Sequence, residues 1–504
     1  MEAKSGTRES MIDDGEELQE QEKSQEELLR ESLSPIDRQY AAQPNVEKRI
    51  HIMGTGSIGK LVAHSLRGIP NPPPVTLIFH RLNVLEAWEK SRKVITVQDG
   101  EYRVERDGFD VEWVTGNIRQ HGVEIPQGAQ DVYTAADEAG VDPHEMAKTF
   151  AEREKEQKKE EDGNEGYTPM DGTESTDRRL WPGAPGQSNE IIHNLLLTVK
   201  TIRTISALSR VRHRLTREST ICFLQNGMGV IDEVNEKLFP DPATRPNYVQ
   251  GIISHGANVP PAIAEKDPFF VVHAGHGTLA LGAIPREPIT STTDNPPTPT
   301  GFGTDNDGQM TESQINEWSP SARYMLRTLT RVPVLCAVGF TPIELLQLQL
   351  EKLAVNSVLN PLTSLIDNRN GALLYTFPLT RTMRLMLAET SLIMRSLPEL
   401  RGICNVPQRF SAERLETLVV SVASKTRNNI SSMLADIRNG SQTEIEYING
   451  YIVKRGEELG VKAVVNYGIM NVVLGKSLMI RRELQDDVPA EGQGRRGMGI
   501  NPDL

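Results

Sequence analysis

Short apolar runs with strand spacing fill the first two-thirds of the chain, and long runs with helical spacing fill the last third. Arg49-Ile-His-Ile-Met53 predicts a strand, Gly54-Thr-Gly-Ser-Ile-Gly59 a tight turn, and Lys60–Leu66 the start of a helix. After a Pro-rich connection, Val75-Thr-Leu-Ile-Phe79 predicts a second strand, so the ordered chain opens as a βαβ unit. Val94–Gly100 and Tyr102–Val114 alternate as the arms of a hairpin turned at Asp99-Gly100. From about 116 to 189 the periodicity fails, and a stretch this long inside a compact domain reads as an insertion, with a solvated helix at Asp142–Lys159. Strand character returns at Ile192–Val199, followed by a basic amphipathic helix at Thr201–Leu215 and a strand at Thr220–Leu224, so a parallel sheet is expected to continue across the insertion. Strands at Phe269–His273 and Thr278–Leu281 precede a second polar interruption at about 286–315, and beyond Thr341 helical patterns dominate to about Leu484.

This pattern predicts an α/β plus all-α architecture: a doubly wound dinucleotide-binding domain over 49–340, carrying the two insertions, and a helical domain over 341–487. Residues 1–48 read as a disordered acidic tail and 488–504 as a second disordered tail.

Charge sharpens the division. Residues 1–33 hold 11 acidic and 4 basic side chains, and 137–176 hold 13 and 5. These two segments exceed the whole-chain net charge of -13, so the remainder is close to neutral and a basic nucleic-acid surface is not expected. The acidic insertion could instead dock a basic protein partner. Three cysteines, Cys222, Cys336 and Cys404, stand far apart without metal-ligand spacing, and no metal is expected. No apolar run approaches the roughly 20 residues that span a bilayer. The N-terminus has neither signal-peptide nor transit-peptide composition, so cytoplasmic placement is expected, with a mitochondrial one as the alternative.

Two constellations carry candidate chemistry. Gly54, Gly56 and Gly59 fill the glycine positions of G-x-G-x-x-G between a strand and a helix, where a turn, a close pyrophosphate approach and tight helix packing each require one. The second strand ends in His80-Arg81 rather than a carboxylate, which suits the 2′-phosphate of NADPH. The second constellation is a polar stripe. Lys352, Asn356 and Asn360 recur every four residues within the otherwise apolar segment Glu351–Pro361, either as a ligand-binding face or as the solvated side of an amphipathic helix.

Together with Leu224-Gln-Asn-Gly-Met-Gly229, Ser254-His-Gly-Ala257, Asn370-Gly371, Asn429-Ile-Ser-Ser-Met-Leu434 and Thr443-Glu-Ile-Glu-Tyr-Ile-Asn-Gly450, these segments resemble the ketopantoate reductase family, in the family's order. The resemblance spans roughly 49–115, 190–285 and 318–480. It implies a C-terminal domain like that of 6-phosphogluconate dehydrogenase, NADPH as cofactor and a small 2-oxo acid as substrate. It further implies Lys352 as proton donor, with Asn226, Asn356, Asn360, Asn370 and Ser432 contacting substrate. Glu444 would stand at the cofactor–substrate junction and hold the lysine. Gly54, Thr55, Gly56, Ser57, Ile58, Gly59, Arg81, Lys200, Asn226 and Ala257 would line the dinucleotide. The expected reaction is reduction of 2-dehydropantoate to (R)-pantoate, with another branched 2-oxo acid or a non-enzymatic NADP-binding regulator as alternatives. A homodimer is a further expectation. His255 reads as a structural loop histidine.

Overall fold

In the computed structural model of the protein, residues 46–114, 118–120, 123–125, 188–264, 266–286 and 318–486 are described. Ile50–Met53 (β1) lies parallel between Val75–Phe79 (β2) and Asn194–Leu197 (β8). All three strands are buried on both faces, as their near-continuous apolar sequence requires. Thr220–Phe223 (β9) and Asn247–Ile253 (β10) extend the parallel run on one side, and Phe109–Trp113 (β5) closes the other. Leu279–Ile284 (β13) then pairs antiparallel to β10, and Ala337–Gly339 (β14) parallel to β13. The eight strands therefore run β14-β13-β10-β9-β8-β1-β2-β5.

Alternate residues feed opposite faces. Ile50, Ile52, Leu77, Phe79 and Leu196 join one core with Met325 and Leu329, while Met53, Ile78, Leu195 and Leu197 join the other with Leu208 and Val234. Ser57–Arg67 (α1), Leu82–Lys90 (α2), Thr204–Val211 (α3), Val230–Lys237 (α4) and Pro320–Thr330 (α5) are the helices involved.

A second sheet, ordered β11-β12-β3-β4, packs beside α1. It joins Ile95–Asp99 (β3), Tyr102–Arg106 (β4), Gly256–Asn258 (β11) and Phe270–Gly275 (β12). The hairpin expected over 94–114 turns at Asp99-Gly100, but its second arm stops at Arg106. Gly108, at φ +77°, breaks the ladder, and Phe109–Trp113 joins the main sheet. Phe269–His273 likewise falls in the second sheet rather than the first. The Thr201–Leu215 helix is interrupted at both ends by 3-10 turns.

Within the first insertion, Ile118–Gln120 (β6) and Val123–Ile125 (β7) form an antiparallel pair. The helix expected at Asp142–Lys159, residues 287–315 of the second interruption, residues 1–45 of the first tail and the whole of the second tail lie outside the described residues.

The helical region begins with Pro342–Leu365 (α6). Thr341 caps it by accepting from the Glu344 backbone N–H, and the Glu344 carboxylate answers from the third position. Phe377–Ser396 (α7), Ala412–Lys425 (α8), Ser432–Arg438 (α9), Asn449–Glu458 (α10) and Val464–Asp486 (α11) bury Leu353, Ala354, Val358, Met386, Leu387, Val419 and Val473 together.

Pro361 sits inside α6 and cannot donate to the Ser357 carbonyl one turn earlier. Buried Asn449 of α10 supplies the missing donor, its Nδ2 lying 2.9 Å from Ser357 O and 3.1 Å from Asn466 Oδ1. The Asn449→Leu variant is therefore expected to lose about 1–3 kcal/mol of stability through the orphaned carbonyl. Urea unfolding checks this, and a loss within measurement error refutes it.

Candidate active site

The three glycines of the β1–α1 turn are distinguished by their surroundings. Gly54 has φ +108°, and a Cβ there would lie 2.5 Å from the Val199 nitrogen. A Cβ on Gly59 would lie 1.8 Å from the Gly54 carbonyl oxygen. Gly56, the N-terminal cap of α1, has nothing within 4 Å of such a position. Two glycines thus serve the fold, and the third leaves room for a group to approach the helix N-terminus, which fits a dinucleotide pyrophosphate. Thr55, Ser57 and Ile58 complete the turn, with Ile58 packed against the first core.

Lys352 projects from α6, and its Nζ donates to Asn226 Oδ1 at 2.9 Å and to the Ile253 carbonyl at 2.7 Å. An ammonium has three protons, so these bonds leave one for a ligand. Burial lowers its pKa to about 8, although the Glu444 charge pulls upward.

Glu444 is itself buried, and its Oε2 accepts from Asn226 Nδ2 at 3.3 Å. Its Oε1 accepts from the Thr201 backbone N–H at 2.9 Å and lies 3.0 Å from the Thr201 hydroxyl. Asn226 therefore faces the ammonium with its oxygen and the carboxylate with its nitrogen, the one orientation that satisfies both. Its loop is fixed from the helical side: Gly227 has φ +82°, a Cβ there would lie 2.6 Å from the Tyr447 carbonyl, and Met228 N donates to that carbonyl at 2.8 Å.

Asn356 lines the same cleft as Lys352, together with Gln225, Asn226, Gln250 and Gln349. Asn360 lies one turn further along α6 and is buried. Thr363, on the next turn, donates to Ser431 Oγ at 2.8 Å, which ties the start of α9 to this part of α6. Ser431 caps α9, leaving Ser432 exposed in its first turn. Asn370 is held to the same segment, its backbone N–H donating to Asn429 O at 3.0 Å. Its Nδ2 donates to Thr426 Oγ1 at 2.9 Å, and its Oδ1 is buried without a partner.

Lys200 is engaged by Asp436 of α9, 2.8 Å away. Burial pulls the Lys200 ammonium down, but Glu444 and Asp436 more than offset it, and it titrates above the ordinary lysine value. Burial pushes the Asp436 carboxyl up to about 6, against the pull of Lys200. Arg81 caps α2 at the end of β2, and Ala257 packs beside Leu61 and Val271.

Sequence reasoning missed Thr201, Asp436 and the glutamines of the cleft. Thr201, Asp436, Gln250 and Gln349 stand in no quoted motif, and Gln225, although inside Leu224–Gly229, has no chemical signature of its own. Each acquires a role only through a partner distant in the chain.

The helical region matches the description "Ketopantoate reductase PanE/ApbA C terminal" over residues 344–477, and residues 140–286 match "Ketopantoate reductase PanE/ApbA". A probable 2-dehydropantoate 2-reductase of Schizosaccharomyces pombe is 30% identical over 289 residues, which is 57% of this chain and 75% of that protein. The chain belongs to the ketopantoate reductase family. A ketoisovalerate reductase of Gibberella fujikuroi is 25% identical over 450 residues, covering 82% of this chain and 79% of that protein. A PanE/ApbA family ketopantoate reductase structure from Ralstonia eutropha superposes with TM-score 0.51 at 16% identity, covering 87% of this chain and 99% of that one; the likeness is one of fold. Among the described residues no helix is long and apolar enough to cross a membrane.

As a member of this family the chain is an oxidoreductase acting on CH–OH groups with a nicotinamide cofactor. When bound, that cofactor supplies the hydride. The residues can supply the rest: the free Lys352 proton is available to an oxygen on which negative charge develops, and the ammonium stabilises that charge beforehand. Under this chemistry the protonated lysine is the active form, so kcat for reduction is expected to fall as pH rises through about 8. Glu444→Gln removes the influence that raises the lysine, and the falling limb should move to lower pH. Lys352→Ala should lose about 10²–10⁴ in kcat with the fold intact by circular dichroism. A limb unmoved in the Gln variant removes Glu444 from this role.

Proposed function

We propose that this ketopantoate reductase family member reduces 2-dehydropantoate to (R)-pantoate with NADPH, a step toward pantothenate and coenzyme A. The reading rests chiefly on the Lys352–Asn226–Glu444 array, which orients a polarised acid above a partly apolar cleft. In it Lys352 is the proton donor, and Asn226, Asn356, Asn360, Asn370 and Ser432 receive the substrate. The dinucleotide lies along the 54–59 turn, Lys200, Asn226, Ala257 and Glu444.

Electrostatics at the end of β2 support NADPH over NADH. Burial, and after it Arg81, Arg210 and Arg203, lowers the His80 pKa to about 4, so the imidazole is neutral and the local potential is positive. A 2′-phosphate is the cofactor group that such a potential favours. Arg81 and Arg203 are the residues chosen to bind it.

A second reading has its own support. Three ketoisovalerate reductases align over 70%, 82% and 89% of this chain, against 57% and 60% for the 2-dehydropantoate reductases of Schizosaccharomyces pombe and Saccharomyces cerevisiae. The two substrates differ by one hydroxymethyl group. The orphaned Oδ1 of Asn370 is an acceptor suited to that hydroxyl and gains nothing from an isopropyl group.

Two measurements test this. With NADPH, kcat/KM for ketopantoate is expected to exceed that for ketoisovalerate, and Asn370→Leu should cut the ketopantoate value by about 10–100-fold while sparing ketoisovalerate. A wild-type preference for ketoisovalerate establishes the second reading. Arg81→Asp combined with Arg203→Ala should raise the Kd for NADPH far more than for NADH, and equal losses refute the 2′-phosphate assignment.

A further inference from the structure

Away from the lysine, the second sheet gathers three metal-ligating side chains. The register pairs Val272 with Gln98, which brings the next residues, His273 and Asp99, side by side at the end of β3. His276 follows in the connection to β13. A carboxylate oxygen of Asp99 and one nitrogen from each histidine all lie within 4.8 Å of one another. His276 Nε2 is 3.1 Å from Asp99 Oδ1, and His273 Nδ1 is 3.9 Å from Asp99 Oδ2. The two imidazole rings meet edge to face at 4.3 Å between centroids. Ligands about 2.0–2.1 Å from a tetrahedral ion stand roughly 3.4 Å apart, which small side-chain rotations reach from atoms already within 4.8 Å of one another.

The hydrogen bonds behind the cluster fix which nitrogens carry protons. Gly277 N–H can only donate, and it lies 3.1 Å from His255 Nδ1, so that nitrogen is bare. The His255 proton is then on Nε2, donated to the Leu335 carbonyl at 3.0 Å. Facing a bare Nδ1 at 3.0 Å, His273 Nε2 must be the donor. With Nε2 committed to His255, Nδ1 is the His273 nitrogen left to face Asp99, 3.9 Å from its Oδ2. A cation satisfies both.

We propose that Asp99, His273 and His276 bind a borderline divalent transition-metal ion of the Zn²⁺ class, with His255 orienting His273 from behind. Two imidazoles and one carboxylate select such an ion over Mg²⁺ or Ca²⁺, which prefer all-oxygen shells. Water completes the coordination, because Asp99 and His276 are exposed. The ion pins the β3–β4 turn to the β12–β13 connection. The spacing of these residues along the chain, 174 and 3 residues apart, hides the site from any motif search.

Tag-free full-length protein stripped with EDTA and titrated with Zn²⁺ by calorimetry tests the site, with Co²⁺ as a visible-absorption probe. The expected result is one equivalent bound, a rise in Tm, Co²⁺ d–d bands, and no competition from Mg²⁺ in large excess. His276→Ala and Asp99→Asn should each weaken binding at least tenfold, and His255→Gln about 10–100-fold as an outer-shell partner. His276 is exposed, so its variant should keep the wild-type circular dichroism and melting profile without metal. Absence of saturable uptake overturns the proposal. So does undiminished Zn²⁺ affinity in folded His276→Ala and Asp99→Asn, which would place the ion elsewhere, or a preference for Mg²⁺.

Discussion

An ammonium half-buried on the apolar helix α6 must replace most of its water with protein acceptors, and much of the site follows from that demand. Lys352 finds one acceptor in a strand-end carbonyl, Ile253 O, and the other in Asn226 of the opposite domain. Asn226 can present its oxygen only if its nitrogen has an acceptor too, which Glu444 provides. Glu444 in turn is buried and needs donors, and Thr201 supplies its backbone N–H, while its single hydroxyl proton is shared between Glu444 Oε1 and the Asn226 carbonyl. Five residues from five separate segments are thus bound into one solution of a single electrostatic problem. The left-handed glycine at 227 belongs to the same solution, since the loop carrying Asn226 must pass against Tyr447 to reach both partners.

The sequence made the glycine turn and the lysine stripe legible because each depends on residues close together along the chain. Gly54, Gly56 and Gly59 occupy one turn, and 3.6-residue periodicity alone stacks Lys352, Asn356 and Asn360. Both faces of β1, β2 and β8 were legible for the same reason, in short uninterrupted apolar runs. Strand β10 was not. Asn247, Gln250 and Gly251 break its apolar run, yet Gln250 is buried with its amide on Phe223 O, and a side chain at 251 would meet Leu224 at 2.3 Å. Polar residues that complete a buried network look, in one dimension, like a loop. The allotment of β3, β4 and β12 to a second sheet was hidden in another way, because alternation specifies a strand and says nothing of its neighbour.

The two domains meet through charge as well as shape. Lys200 and Asp436 bridge them near Glu444, and their titrations are bound to it: its charge raises Lys200 and, together with burial, holds the Asp436 carboxyl near 6. Around neutral pH the cluster of Lys352, Lys200, Glu444 and Asp436 is therefore close to balanced, with two cations against two anions.

A balanced cluster suits a reaction that brings in an anion. The proposed substrate, a 2-oxo acid, carries one negative charge and gains transient charge at its carbonyl oxygen during reduction, so a strongly positive cleft would hold the ground state as tightly as the transition state and gain nothing in rate. Here the cations are offset except at the point where the third Lys352 proton projects. In the proposed reaction, charge developing on that oxygen meets an ammonium whose pKa burial has already brought down toward neutrality. The buried glutamate keeps burial from lowering it further, and so the same carboxylate that orients Asn226 also sets how strong an acid the lysine becomes.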